Sequence, residues 1–245
     1  MTEGNTQNDQ TGGSDVFNVP VIIAAAHELK APLALIRQLS LSLEQGNVSK
    51  KEIERIAEKI TLTSERSLRL TTDLTRSARL EDSLFTLEPI NPISLCEDVV
   101  HELSPMFAAR GKAIAVKERR RSLLAVGNHD LLRRILLNFA DNALYYSAPE
   151  APVVLSVSRI KNGETIRLSV RDYGPALPMT VWKSFDSSLG KRAQMLHSRP
   201  ESSGLGMYIA SQFAGVMGAT LGATRHRDGA TFYVDLNAST QLRLL

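Results

Sequence analysis

The sequence predicts an α+β protein in which an N-terminal α-helical hairpin is followed by an α/β sandwich. Three observations lead to this prediction. A length of 245 residues favours two domains. Apolar residues recur at helical spacing in two long runs before residue 78, and helix-like and strand-like patterns then share one segment. We place the hairpin at residues 16–82, a linker with two prolines at 83–92 and the sandwich at 93–240.

The hairpin is predicted from two helical patterns separated by a short turn. The first helix covers residues 21–45, and Gly46 and Asn47 end it. Ser49 and Glu52 have the spacing of a capping box that starts the second helix. The second helix carries a packing seam of residues three and four apart: Ile53, Ile56, Ile60, Thr63, Ser67, Leu70, Leu74 and Ser77. Two such helices cannot close a core alone, which favours a homodimeric four-helix bundle. The polar Thr63 and Ser67 mark either a place where the bundle shifts or a tolerated imperfection.

The sandwich is predicted from mixed patterns in the second part of the chain. Helices are predicted over residues 93–110, 130–146 and 205–217. Strands are predicted over residues 113–117, 153–159, 165–172, 220–224 and 231–236, and residues 123–126 are strand-like. This order predicts one mixed sheet covered by helices.

Composition places the chain among ordinary globular proteins, with 43% apolar and 22% charged residues. Residues 1–15 have almost nothing to bury and are predicted to form a disordered tail. Cys96 is the only cysteine, which excludes an internal disulfide and a cysteine-based metal site. The nearly apolar residues 16–26 are far fewer than the roughly 20 that a membrane span requires. We therefore expect a cytoplasmic protein without a membrane span.

A basic run at residues 117–121 accounts for part of the formal charge of +3. The run contains no aromatic residues and lies between an apolar segment and the strand-like residues 123–126. These features favour a solvated loop or strand edge over a nucleic-acid site. No nucleic-acid partner is predicted.

His27 is a candidate nucleophile on the first helix. On a helical wheel, Leu29, Leu33 and Ile36 form one apolar face. His27 lies about 180° to 240° from them and is therefore expected to face water. A neutral imidazole is a nucleophile toward phosphorus, and the adjacent Glu28 can accept its other ring proton. An exposed histidine alone is usually without function, so this hypothesis depends on the rest of the chain.

Polar residues on the helix at 130–146 predict a ligand site. Asn138, Asn142 and Tyr146 are four residues apart and share one stripe. Asparagines on an otherwise apolar helix are costly if they are buried unpaired, so they are expected to face a polar ligand. Carboxamide oxygens one turn apart suit Mg²⁺.

A carboxylate ends the strand predicted at residues 165–172. Ile166, Leu168 and Val170 share a face with Asp172 because alternate strand residues point the same way. Asp172 therefore ends an inward-pointing apolar row and needs a hydrogen-bond donor. Gly174 allows the backbone after it to approach a ligand closely.

Four motifs together resemble those of two-component sensor histidine kinases. The segment HELKAP at residues 27–32 resembles the H-box, including Pro32, which is otherwise unusual inside a helix. Residues 131–147 resemble the N-box, and Asp172 and Gly174 resemble the G1 box. The segment SSGLGMYIA at residues 202–210 resembles the G2 box. The likeness runs from about residue 21 to residue 236 in the order of the family.

The resemblance implies an ATP-dependent protein-histidine kinase that phosphorylates His27, with Glu28 as its catalytic neighbour. The phosphoryl group would then pass to an aspartate in the receiver domain of a response regulator. The resemblance also implies a Bergerat-type (GHKL) ATP-binding fold, with ATP and Mg²⁺ as cofactors. Other proteins with this ATP-binding fold hydrolyse ATP. Because the chain also carries the histidine helix, the resemblance favours a kinase over those relatives.

Particular residues inherit roles from this resemblance. Asn142 is implied as the metal ligand with Asn138 as its partner, and Asp172 is implied to accept the exocyclic amine of adenine. The other implied nucleotide-binding residues are Tyr146, Gly174, Lys191, Arg192, Gly204, Leu205 and Gly206. Lys191 and Arg192 belong to a lid implied between the G1 and G2 boxes.

Three positions depart from the family pattern. Ala176 stands where a second glycine is usual, and Tyr145 replaces a common lysine or arginine. Ala31 replaces a threonine or asparagine one turn after the histidine, which predicts weak phosphatase activity. These departures leave an alternative open, a degenerate kinase that serves as a phosphotransfer or scaffolding module with little ATP turnover.

Overall fold

A computed structural model describes residues 19–46, 48–78, 85–117, 123–160, 163–176, 179, 182–183 and 205–240. The predicted tail at residues 1–15 and most of the basic run, residues 118–121, lie outside this part of the chain. In the part described, no helix combines the length and apolar character required to cross a bilayer.

Two long helices form the N-terminal hairpin. Helix α1 covers Val19–Glu44 and helix α2 covers Lys50–Ala78. The predicted capping box is confirmed: the Ser49 amide donates to Glu52 Oε2 at 3.0 Å, and the Glu52 amide donates to Ser49 Oγ at 3.3 Å. The bond from the Ser49 backbone, followed by that from its hydroxyl, lowers the pKa of Glu52. The sequence therefore fixes the start of α2 by local hydrogen bonding.

The second part of the chain contains a five-stranded mixed sheet and a two-stranded sheet. The strands are β1 (Glu88–Ile90), β2 (Ile114–Val116), β3 (Ala125–Gly127), β4 (Val153–Ile160), β5 (Thr165–Arg171), β6 (Thr220–His226) and β7 (Gly229–Asn237). The large sheet has the order β2-β4-β5-β7-β6, in which only β2 and β4 run parallel. Strands β1 and β3 form the small antiparallel sheet. The predicted α+β class is confirmed.

Three helices pack against one face of the large sheet. They are α3 (Pro92–Ala108), α4 (His129–Tyr146) and α5 (Leu205–Val216). Their fully buried phenylalanines, Phe107, Phe139 and Phe213, meet the buried residues of alternate strand positions. Burial of such side chains contributes about 1.5–3 kcal/mol each to folding. This core fixes the position of α4 over the sheet, and α4 carries most of the candidate site.

Strand β1 lies inside the segment predicted as a linker. Only three residues long and including Pro89, it offers no alternating pattern that a sequence reading can detect. Its register with β3 pairs Glu88 with Gly127 and Ile90 with Ala125. Pairing with a distant strand therefore makes this segment regular.

Other boundaries differ by one or two residues from the predictions. Strand β5 ends at Arg171 rather than at residue 172, although the Asp172 amide still donates to the Ala230 carbonyl at 3.0 Å. Strand β7 begins at Gly229, two residues earlier than predicted, because the turn before it continues the ladder with β6.

Candidate phosphoacceptor and nucleotide site

The candidate phosphoacceptor lies on the solvent side of α1. His27 is exposed, as the helical wheel predicts, and Glu28 is half-buried beside it. One turn earlier, Ala24 is only 3% exposed and belongs to the core formed with the sandwich. Helix α1 contacts α5. The histidine is thus held on a rigid helix next to the second domain while its ring stays accessible.

The N-box asparagines lie where α4 meets the start of α5. Asn138 and Asn142 are both half-buried. The Nδ2 atom of Asn138 is buried and finds no hydrogen-bond partner among the described residues. A Cβ placed on Gly206 would lie 3.2 Å from Asn138 Oδ1, so the G2 backbone closely approaches this amide. An unsatisfied buried amide is costly, which makes this a place where a polar ligand is favoured.

The G1 carboxylate is buried, as its strand parity predicts. Ile166, Leu168 and Val170 are fully buried, and Asp172 is 4% exposed. Asp172 Oδ1 accepts the Ala230 amide at 3.1 Å. Burial raises the pKa of Asp172, and the hydrogen bond from Ala230 opposes this shift. With Oδ1 engaged by Ala230, Oδ2 is the carboxylate oxygen that a donor on a ligand could use.

The loop after β5 lies directly on the C-terminal end of α4. A Cβ on Gly174 would overlap the carbonyl oxygen of Tyr146, so only glycine fits this approach. The Ala148 amide also donates to the Tyr173 carbonyl at 2.5 Å. The structure therefore brings Tyr146 and Gly174 together, with Asn138 and Gly206 at the same helix.

Some of the predicted site residues are not placed at the site by the structure. Lys191, Arg192 and Gly204 lie outside the described residues. The Leu205 side chain is fully buried in the core.

Sequence reasoning missed a second stripe on α4, which contacts α2. The Arg66 guanidinium lies 4.4 Å from the Tyr145 ring centroid, and that of Arg110 lies 4.5 Å from it. Both arginines donate to the Tyr145 hydroxyl, Arg110 at 3.4 Å. Tyr145, a departure from the family pattern, is thus an interdomain contact.

Ion pairs extend this contact along α2. Arg134 on α4 pairs with Asp73 on α2, which is 6% exposed. Arg66 and Arg69 lie 3.8 Å and 3.9 Å from Asp141. Burial raises the pKa of Asp141, and the two arginines oppose the shift. We call these residues together with Tyr145 the α2–α4 contact.

No sequence signal marked the α2–α4 contact, because its residues are far apart in the chain. Another missed group, Arg171 with Asp228, had a local signal. Asp228 and Gly229 form the Asp-Gly pair typical of a hairpin turn. That turn brings Asp228 to Arg171.

Comparison with protein families adds independent information. Residues 127–240 match the family described as histidine kinase-, DNA gyrase B-, and HSP90-like ATPase. This segment contains the N-box, G1 and G2 residues.

Curated relatives extend the match over most of the chain. Sensor protein CutS of Streptomyces coelicolor is 27% identical over 206 residues, which cover 84% of this chain and 49% of CutS. Sensor histidine kinase YkoH of Bacillus subtilis is 27% identical over 219 residues, which cover 89% of this chain and 46% of YkoH. The chain thus spans about half the length of these two relatives.

Solved structures share the fold. The crystal structure of full-length ShkA in complex with AMPPNP superposes with a TM-score of 0.60 at 23% identity, covering 92% of this chain and 46% of that one. The histidine kinase AdeS of Acinetobacter baumannii gives a TM-score of 0.58 at 15% identity, covering 86% of this chain and 97% of that one. Taken together, these comparisons show that residues 127–240 carry a domain of the histidine kinase-, DNA gyrase B-, and HSP90-like ATPase family, and that the chain is similar over most of its length to sensor histidine kinases.

Proposed function

We propose that the chain is an ATP-dependent protein-histidine kinase that phosphorylates its own His27 and then passes the phosphoryl group to an aspartate of a receiver domain. The observation that carries the proposal is the convergence of three distant motifs at α4. Asn138 with its unpaired amide lies against Gly206, and Gly174 lies against Tyr146. The exposed His27 stands on a helix that contacts the same domain.

In the proposed reaction a His27 ring nitrogen attacks the γ-phosphorus of ATP. A nitrogen–phosphorus bond forms, the bond from that phosphorus to the bridging oxygen breaks, and ADP leaves. Glu28 accepts the other ring proton and orients the imidazole. In the second step the carboxylate of the receiver aspartate attacks the same phosphorus, and His27 is released.

Asp172 and α4 hold the nucleotide in this proposal. The Oδ2 atom of Asp172 accepts a hydrogen bond from the exocyclic amine of adenine. The carbonyl and backbone groups at Gly174, Leu205 and Gly206 approach the base and the phosphates. Lys191, Arg192 and Gly204 keep the roles that the sequence resemblance implies.

The residues on α4 fit Mg²⁺. Asn138 and Asn142 offer hard oxygen ligands one turn apart, and Asn138 lies close to the backbone at Gly206. Among the described residues no cluster of three His, Cys, Asp or Glu side chains forms an all-protein metal site. The two asparagine oxygens suit an ion that takes its other ligands from phosphate and water. Bound there, the ion would offset the charge of the phosphates.

A homodimer completes the proposal. Several apolar side chains of α1 face solvent in the single chain, with Leu33 59% exposed. The others are Ile23, Leu35 and Leu41. A second hairpin would bury these side chains in a four-helix bundle.

One observation favours the alternative of a scaffolding or phosphotransfer module with little ATP turnover. Tyr145, which stands where the family commonly has a basic residue, is held by Arg66 and Arg110. The purified chain should be incubated with γ-labelled ATP with and without Mg²⁺. Kinase activity predicts a protein-bound label that requires Mg²⁺, is lost in acid and survives base. The alternative predicts no label from ATP under the same conditions.

A further inference from the structure

We propose that Arg171, together with Asp228 and Gly229, is the positioning group that orients the Asp172 carboxylate and so selects a purine that carries an exocyclic amine. The inference rests on the proposed function, in which Asp172 accepts a hydrogen bond from the base. It assigns a role to a residue that lies outside the four sequence motifs.

The Arg171 side chain ties together both chain segments that border Asp172. Its Nη2 donates to Asp228 Oδ1 at 2.5 Å, and its Nη1 donates to the Ala230 carbonyl at 3.3 Å. Nη1 also donates to the carbonyl oxygen of Asp172 itself. The guanidinium lies 4.3 Å from the Tyr173 ring centroid, which fixes its plane. One half-buried arginine thus joins the end of β5 to the β6–β7 turn.

The β6–β7 turn lies in direct contact with the Asp172 carboxylate. Gly229 has a φ of +128°, and a Cβ there would overlap the Asp172 carbonyl oxygen. The same Cβ would lie 2.5 Å from Asp172 Oδ1. The next amide, that of Ala230, donates to Oδ1 at 3.1 Å. Because Oδ1 is engaged in this way, the carboxylate presents Oδ2 in one direction.

Charge supports the same role. The guanidinium of Arg171 opposes the increase that burial produces in the pKa of Asp172, whereas the Asp228 carboxylate adds to it. His226, at the end of β6, is another titratable group at this turn, and its Nε2 atom lies 2.9 Å from Thr231 Oγ1. Burial and then Arg171 lower the pKa of His226. Loss of Arg171 would therefore raise the pKa of Asp172 further. On acidification, the carboxylate would then be protonated, and lost as an ionised acceptor, at a higher pH.

Arg167 provides a matched control on the same strand. Its Nε and Nη2 donate to Asp235 at 2.7 Å and 2.8 Å, and its guanidinium lies 3.5 Å from the Tyr233 ring centroid. Arg167 thus has the same kind of partners as Arg171, an aspartate and a tyrosine. It differs in having no contact with Asp172.

The test measures binding of ATP and of inosine triphosphate, whose base has an oxygen in place of the exocyclic amine, to the full chain between about pH 5 and pH 8. Arg171→Gln should weaken ATP binding by about tenfold, the value of one well-placed hydrogen bond to a charged group. Inosine triphosphate should bind almost as before, so the preference for ATP falls. In Arg171→Gln, the pH below which ATP binding is lost should move to a higher value. Arg171→Lys keeps the charge but not the two-pronged guanidinium, so it should restore this pH but not the preference for ATP.

Several outcomes decide the proposal. Arg167→Gln should leave the ATP preference within about twofold of the unmodified chain. An unchanged preference for ATP and an unchanged pH for the loss of ATP binding in folded Arg171→Gln would overturn the positioning role, as would an equal loss in Arg167→Gln. Asp228→Ala, at a side chain 66% exposed, removes the acceptor of the Arg171 bond and is the second variant if Arg171→Gln fails to fold; it should reduce the ATP preference as well. Asp172→Ala, which removes both acceptor oxygens, separates the two levels: if it retains ATP binding, the acceptor role itself is wrong, whereas loss in Asp172→Ala but not in Arg171→Gln overturns only the role of Arg171.

Discussion

Asn138 and Asp172 place polar groups where burial makes them costly. Asn138 has a buried amide nitrogen without a partner among the described residues, and Asp172 is a buried carboxylate whose Oδ1 accepts the Ala230 amide. An unsatisfied buried group costs about 1–3 kcal/mol. A nucleotide that supplies acceptors and a donor would recover this cost, which links folding of the site to its ligand.

The metal role of α4 is tested at Asn142. Asn142→Ala should weaken Mg²⁺-dependent ATP binding by about tenfold or more, since even supporting residues of metal sites cost this much when removed. Titration with a fluorescent ATP analogue measures the effect. The same titration without Mg²⁺ is the control and should change little. Equal Mg²⁺-dependent affinities for variant and unmodified chain would show that Asn142 is not a ligand.

A further prediction concerns Ala31 and the removal of the phosphoryl group from a phosphorylated receiver domain. Ala31 is exposed on α1, so a hydroxyl is accommodated there without loss of packing. A methyl group neither donates nor accepts a hydrogen bond, and Ala31→Thr should therefore speed loss of label from a phosphorylated receiver domain without altering autophosphorylation. Ala57→Thr, at an exposed position of α2, controls for the helix propensity of threonine. Efficient dephosphorylation by the unmodified chain would contradict this account.

At the scale of elements, α4 serves two partners. One stripe, Asn138, Asn142 and Tyr146, lies toward the G1 and G2 segments, and the neighbouring stripe with Asp141 and Tyr145 contacts α2. The two stripes adjoin because residues 141 and 142 are consecutive. A change in the α2–α4 contact therefore acts on the helix that holds the proposed nucleotide ligands.

Tyr145 variants measure the strength of this contact. Tyr145→Ala removes the ring between two guanidinium groups and should lower the free energy of unfolding by about 1–2 kcal/mol. Tyr145→Phe keeps the ring and loses only the hydroxyl bonds, so it should retain most of the stability. Thermal unfolding of the three chains compares them. Equal losses in both variants would show that the hydroxyl, rather than the ring, makes the contact.

Periodicity and local motifs predicted the elements and much of the site, and tertiary contacts explain the remainder. The capping box of α2 and the inward row ending at Asp172 depend on near neighbours, and both appear as predicted. Strand β1 and the Arg66–Tyr145 contact depend on partners far away in sequence. No local pattern encodes such partners, which is why Pro89 suggested a linker and Tyr145 suggested only the replacement of a common basic residue.

At the scale of the whole molecule, the α2–α4 contact holds the sandwich against the hairpin. His27 is exposed in this arrangement. Ion pairs of partly exposed side chains make the contact sensitive to salt.

Labels on two introduced cysteines measure this docking. Cys96 is fully buried and burial raises the pKa of its thiol to about 12, so it does not compete for thiol-reactive dyes. Raising salt from about 0.05 M to 1 M should broaden the distance between a dye on α2 and one on the sandwich. Arg66→Gln should broaden it already at low salt. Lys59→Gln, which removes the same charge from an exposed position of α2, should not, and an equal effect of both variants would contradict a specific contact.

The most direct measurement of the central claim is the site of phosphorylation. His27→Gln should fold and bind ATP like the unmodified chain, because an exposed side chain contributes little to packing, and it should take up no acid-labile label from γ-labelled ATP. His129→Gln, at another exposed histidine, should be labelled normally. Retained labelling of folded His27→Gln would contradict the account and move the phosphoacceptor to another residue.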